Sequence, residues 1–274
     1  MKQRILVAVV GVPLLLFVLV VAPDWATMAL VCLLSIVGAH ELLSAVCGGG
    51  KAKRWFGLAA MMGVFSVLSI YFSQQRFAGM IVAFLAVTVV LLFVCAVVEY
   101  GGAHPMTFEN ICTVLMAGVA IPMALSCLLR LRMLPYGGGM VMMPLVAAFC
   151  SDSAALFAGM ACGKHKLSPR VSPKKTVEGA VGGLLGGMLG MVIFRVIFHL
   201  VTLEQLHIGW CVLIGLVGAV MGQLGDLSFS LVKRQYGIKD YGRLLPGHGG
   251  VLDRFDSVVF AAPAIWLIVS YVTL

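Results

Sequence analysis

The sequence predicts an all-α, polytopic integral membrane protein with about nine transmembrane helices. Three observations carry that prediction. Hydrophobic residues fill 61% of the 274 positions, charged residues only 11%, and mean hydropathy is +1.07. A water-soluble core has no use for that much apolar surface. The apolar residues also run continuously rather than alternating, which suits helices of about 20 residues crossing ~30 Å of hydrocarbon and not the short strands of a barrel. Finally, the basic residues are distributed unevenly among the connections.

The first apolar run, near 5–22, follows Lys2 and Arg4, and Val20 and Ala22 would suit a signal-peptide cleavage site. The run is longer than a usual signal core, and Pro23-Asp24 leads straight into the next one, which favours a retained helix. The second run, 25–46, carries His40 and Glu41. Ionisable groups in a span face an interior cavity or a partner, so Glu41 either pairs with a base to orient helices or acts directly in chemistry. Gly48-Gly49-Gly50 reads as a turn, followed by runs at 55–73 and 78–98. The connection 99–110 holds Glu99 and Glu109 and no base.

Runs at 111–129 and 139–161 flank a second turn at Gly137-Gly138-Gly139, and the latter contains Asp152. The loop that follows holds five bases between residues 164 and 175, an anion site in composition. Pro169 and Pro173 prevent a regular helix there. Its blander reading is topology retention and contact with lipid head groups. The Gly163-Lys164 pair is not a Walker A loop, because Ala158 stands where that loop needs its first glycine. The seventh run, 177–201, opens with two interleaved ladders, Gly179, Gly183, Gly187 and Gly182, Gly186, Gly190. Four-residue spacing puts each ladder on one stripe, fit for close packing within the chain or for a homodimer face. The eighth run, 208–232, contains Gln223, Gly225 and Asp226; an unpaired carboxylate at that depth needs a cation. The ninth is 257–274.

With the N-terminus inside, nine spans put 15 of the 19 Lys and Arg in inside segments and only Arg76, Arg130 and Arg132 in outside loops. The connection 99–110 is the exception to this pattern. Net charge of +8 follows from this bias and from attraction to anionic lipids, not from nucleic-acid binding, for which no module is visible. The eight cysteines form no CxxC pair and read as small hydrophobes rather than zinc ligands or disulfides. Seven of the eleven acids lie between 151 and 256. The expected organisation is therefore residues 1–150 as scaffold helices and 151–274 as the catalytic region of one membrane domain.

The most polar segment is Ser230 to Asp256, SLVKRQYGIKDYGRLLPGHGGVLDRFD. Its Pro246-Gly247-His248-Gly249-Gly250 turn exposes backbone N–H groups that can approach phosphate oxygens. Asp253 and Asp256 are three apart and share a face if the chain is helical from Leu252 onward. Paired carboxylates with room for phosphate suit magnesium, which keeps several waters and takes other ligands from substrate. The alternative for Asp256 is an N-cap for the ninth span. Many bases with a few acids suit phosphoryl or nucleotidyl transfer, in which catalysis is positioning and charge neutralisation.

This segment resembles the hallmark of the phosphatidate cytidylyltransferases, also called CDP-diacylglycerol synthases, of bacterial type. Ser230, Val232, Lys233, Arg234, Lys239, Asp240, Gly242, Leu245, Pro246, His248, Gly249, Gly250, Val251, Asp253, Arg254, Phe255 and Asp256 meet every position of that pattern. Gly225-Asp226-Leu227 and the run from Ser172 to Gly179 look like the same family. The motifs cover roughly the last 45% of the chain. Leu156 and Met160 stand where many relatives carry a tyrosine and an arginine, and Phe229 stands where some carry an acid.

The resemblance implies transfer of CMP from CTP to phosphatidate, giving CDP-diacylglycerol and pyrophosphate for phospholipid biosynthesis. It implies Mg2+, as one or two divalent ions with a monovalent ion also admissible, held by Asp226 and Asp253 with Asp256 as a further candidate. Lys233, Arg234, Lys239 and Arg254 would neutralise the phosphates, and His248 would donate to a phosphate oxygen. Lys174, Lys175, Ser230, Gly249 and Gly250 would bind substrate phosphate. The expected partners are CTP, phosphatidate and membrane lipids, without nucleic acid. The expected location is the inner (cytoplasmic) membrane, with the site facing the cytoplasm. A transporter of an anionic lipid or phosphate metabolite is the alternative from another class. A CDP-alcohol phosphotransferase is excluded, because the chain contains no Asp-Gly pair.

Overall fold

Helices occupy all nine of the positions marked by apolar runs. The computed structural model describes residues 2–72, 78–102, 105–244 and 249–272; Arg76 and His248 lie outside them. In order the elements are α1 (Lys2–Leu16), α2 (Asp24–Cys47), α3 (Gly49–Tyr71), α4 (Ala78–Glu99), α5 (Phe108–Leu115), α6 (Ile121–Arg132), α7 (Gly137–Met140), α8 (Met142–Cys162), β1 (Lys166–Ser168), β2 (Ser172–Thr176), α9 (Val177–Thr202), α10 (Ile208–Gln235) and α11 (Leu252–Val272). A π turn at Met116–Ala120 joins α5 to α6 as one rod, and α7 runs on into α8. Among the described residues seven helices are long and apolar enough to cross a membrane. The first helix has a shorter apolar stretch, Val9–Val21, and α11 carries Asp253, Arg254 and Asp256 in its first two turns.

Local caps set several boundaries. The Thr107 side chain accepts from Asn110 N–H at the start of α5, and Thr176 accepts from Gly179 N–H at the start of α9. Each satisfies one donor that the first helical turn leaves open. Between α8 and α9 the chain forms an antiparallel hairpin, Lys166 opposite Thr176 and Ser168 opposite Ser172. The sequence excluded a helix here but did not show the strands. Proline prevents helix yet is tolerated at the edge of a two-stranded ribbon.

The connections after α2, α4, α8 and α10 gather at one end of the bundle. Cys47 Sγ lies 3.5 Å from Asn110 Oδ1, Arg54 pairs with Glu99, Tyr236 donates to Glu109, and Arg234 Nε donates to Val171 O at 3.2 Å. Hydrogen bonding to Glu109 pushes the Tyr236 phenol up to about 12. The acidic connection 99–110 thus sits with the basic ones, and its two glutamates are taken up by tertiary partners. At the other end Arg132 Nη1 meets Asp24 at 3.2 Å, and Tyr136 donates to Glu204 at 2.8 Å.

Both glycine ladders are covered within the chain. A Cβ on Gly182 or Gly186 would collide with Ala158 or Ala154 of α8, and one on Gly187 would stand 2.8 Å from Ala219 Cβ of α10. Small residues on facing helices let the backbones approach, which locks α8, α9 and α10 into the unit that carries the polar cavity.

The ninth helix corrects one expectation. It begins at Leu252, not near 257, so Asp256 lies inside it and is no N-cap. The reason is tertiary. Glu41 of α2 accepts from Val251 N–H and Leu252 N–H, both at 2.9 Å, and so satisfies the first donors from another part of the chain. Glu41 is buried and its described partners are backbone amides, neither a helix-orienting base nor a position in the cavity.

Candidate active site

A cavity of about 670 Å³ opens at the end of the bundle where the basic connections gather. Its walls come from α8, the hairpin and the starts of α9 and α11, with the C-terminal half of α10. All of its lining residues fall between Asp152 and Asp256.

Asp226 is held on α10 by its own helix and by the hairpin. Ser230 Oγ, one turn on, donates to Asp226 Oδ1 at 3.2 Å, and Lys175 Nζ lies 2.5 Å from Oδ2. Gly225 lets α10 press against α11, since a Cβ there would sit 2.5 Å from the Asp256 carbonyl oxygen. That approach brings Asp256 within electrostatic range of Asp226 and Asp152. Asp152 of α8 accepts from Ser257 Oγ at 3.3 Å and closes the acidic wall. Gln223, one turn before Asp226, donates to Ala180 O at 3.0 Å and to Ser151 Oγ at 3.3 Å, tying α10 to α8 and α9 beneath the cavity.

Asp253 has a different environment. Its Oδ1 pairs with Lys233 Nζ at 2.8 Å, and its Oδ2 accepts from Tyr241 N–H at 2.8 Å and Gly250 N–H at 2.9 Å. Both oxygens are therefore engaged by protein donors, and the carboxylate is buried. Tyr241, whose hydroxyl donates to Phe229 O at 3.0 Å, packs beside this pair with its phenol pushed up by burial.

Lys174, Lys175, Lys233 and Arg254 line the cavity with the acids. Arg234 and Lys239 are exposed and not among its lining residues; Arg234 braces the hairpin instead. Ser230 is buried against Asp226, the Gly250 N–H is committed to Asp253, and neither is among the lining residues of the cavity. Gly249 adopts φ +86°, with the backbone freedom its place in the turn requires. His248 lies outside the described residues. The hairpin is latched to α9 by Glu178, which accepts from Lys164 N–H and pairs with His165 Nδ1 at 2.6 Å.

Two features escaped the candidate set read from the sequence. Gln223 was visible beside Asp226 in the eighth run and Asp152 as a lone acid in the sixth, but nothing local tied Asp152 to Asp226. The lining is not all polar: Leu156 and Met160 of α8 both line the cavity and are largely exposed.

The acidic wall fits a divalent ion. Asp226, Asp256 and Asp152 concentrate negative charge beside one close lysine. Among the described residues no three metal-binding side chains form a closed cage. A magnesium site need not be a closed cage, since that ion takes one or two carboxylates and completes its shell with water and phosphate.

The cytidylyltransferase family model matches residues 2–272. The chain is 34% identical over 278 residues to the phosphatidate cytidylyltransferase of Bacillus subtilis (strain 168), covering 98% of each chain. It is 33% identical to that of Rickettsia bellii (strain RML369-C) over 65% of this chain and 78% of that protein. With that of Brucella suis biovar 1 (strain 1330) it shares 42% identity over 134 residues, 48% of this chain and 47% of that protein. The family match and the full-length similarity decide between enzyme and transporter: the chain belongs to the cytidylyltransferase family and is a nucleotidyltransferase.

Proposed function

We propose that this enzyme transfers a cytidylyl group from CTP to phosphatidate, forming CDP-diacylglycerol and releasing pyrophosphate. The observation that carries the reading is a single cavity lined by both charged and apolar side chains. Lys174, Lys175 and Arg254 share its lining with Leu156 and Met160, which follow Asp152 along α8. That pairing suits one substrate rich in phosphate and another with a phosphate head and acyl tails.

The lipid phosphate is already ionised, so no strong general base is needed. Its oxygen attacks the α-phosphorus of CTP, and the bond to the bridging oxygen breaks as pyrophosphate leaves. The difficulty is bringing two anions together, and the lysines and arginine offset that repulsion. Lys175, already drawn to Asp226, can exchange one partner for a phosphate oxygen without leaving the cavity. Asp226 and Asp256 would hold magnesium, which when bound supplies positive charge to the phosphates and to the leaving group. Asp253 would join that shell only by giving up Lys233 or its loop amides. Purified protein in lipid should release pyrophosphate from CTP only when phosphatidate and a divalent ion are both present. Turnover that persists in a chelator would overturn the metal requirement, and a folded protein with no turnover would overturn the substrates.

The same reading puts the cavity on the cytoplasmic side of the inner membrane, in support of which the basic connections share one end of the bundle. Single cysteines at Ser168 and Gln235, in a chain stripped of its eight native cysteines, should resist a membrane-impermeant thiol reagent in intact cells and react after lysis. Labelling of either from outside would reverse the orientation.

A further inference from the structure

We propose that Glu41, on α2, is a positioning residue for nucleotidyl transfer: its carboxylate holds the backbone that carries Asp253 and Asp256 in the register the cavity requires. The inference rests on the site described above but concerns a residue far from it in sequence and outside its walls.

Three consecutive amides enter α11, and two carboxylates take all of them. Gly250 N–H goes to Asp253, while Val251 and Leu252 N–H go to the two oxygens of Glu41. Only 4% of Glu41 is exposed. Such a group is retained when its acceptors are fully used, because an unmet buried carboxylate is costly. The loop is shaped around it from two sides. A Cβ on Gly242 would collide with the Glu41 carboxylate, and one on Gly250 would stand 2.6 Å from both its oxygens. One turn earlier on α2, Gly38 receives the Leu252 side chain, with a Cβ there 3.1 Å from Leu252 Cδ2. Gly242 and the run Gly250 to Leu252 therefore fit around one side chain of the N-terminal half. Asp253 follows immediately, and its bonds to Lys233 and Tyr241 N–H place the cavity wall. Loosening Glu41 releases the start of α11 and, with it, the spacing of Asp256 from Asp226.

The test compares the full chain with Glu41→Gln and Leu43→Ala. Glutamine keeps the size but sets an NH2 donor against one of the two backbone donors. Leu43 is fully buried on the same helix and serves as a control for general loss of packing. Hydrogen exchange over 249–256 should quicken about tenfold or more in Glu41→Gln, with α8 and α9 unchanged. Its kcat should fall by about tenfold or more, and the magnesium concentration for half-maximal rate should rise. Leu43→Ala should lower the melting temperature without quickening exchange at 249–256. If Glu41→Gln does not fold, Gly242→Ala presses on the same carboxylate from the loop side and should give the same local loss. Unchanged protection at 249–256, or faster exchange with unchanged kinetics, overturns the proposal. The exchange result needs no substrate, so it stands apart from any failure of the proposed reaction.

Discussion

Asp256→Asn should give a folded protein whose turnover is lower by on the order of 10²–10³-fold or more. The residue is 8% exposed, within electrostatic range of Asp226 and Asp152 on the acidic wall. Asparagine keeps its volume and its ability to accept from Ser257 N–H, the bond Asp256 Oδ1 makes at 2.8 Å. What it removes is one negative charge from a group suited to a divalent ion. Stability should therefore change little, or rise slightly as repulsion among three acids is relieved. Turnover should recover in part at high magnesium, since a weakened site fills at higher concentration. Asp24→Asn, at the opposite end of the bundle, should leave turnover near that of the unaltered protein. The measurements are pyrophosphate release across a magnesium series and thermal melting in detergent. Near-native turnover of Asp256→Asn, with unchanged magnesium dependence, would remove Asp256 from the ion's shell.

The sequence located the helices well because a membrane span is a one-dimensional signal. Each apolar run became a helix, and the basic connections did gather at one end. Where it fell short, the missing information was tertiary. The acids of the connection 99–110 argued against its side until Arg54 and Tyr236 were found facing them. The start of α11 was placed late because its cap, Glu41, is 210 residues away from Val251. The glycine ladders were legible as close-packing stripes, but spacing alone does not say which helix fills them. The same limit applies to the site. Asp253 and Asp256 lie one turn apart, and the one local pattern that separated them, an N-cap for Asp256, does not hold because the helix starts at Leu252. Their donors separate them. One is surrounded by Lys233 and two loop amides, and the other lies on the wall with Asp226 and Asp152.

That difference predicts that Asp253 will not behave as a simple metal ligand when it is replaced. Lys233 and Asp253 have side chains only 12% and 3% exposed, respectively, so each is the other's main compensation. Lys233→Met should leave a buried, unpaired carboxylate and cost about 3–5 kcal/mol of stability. Asp253→Asn should destabilise as well. Its remaining oxygen can still accept from Tyr241 and Gly250 N–H, but its NH2 group would face the Lys233 ammonium. In the double variant that conflict disappears: methionine fills the stem's volume, and asparagine keeps the loop amides satisfied. Most of the lost stability should return, a coupling that a double-mutant cycle measures directly. Turnover should not return with it. Lys233 lines the cavity, and its charge is absent from the double variant, so the rate should stay on the order of 10²-fold or more below the unaltered protein. Melting temperature and kcat measured on the four proteins separate the two contributions. If stability and turnover recover together, the pair is only a brace for the loop, and the phosphates are neutralised by Lys174, Lys175 and Arg254 alone.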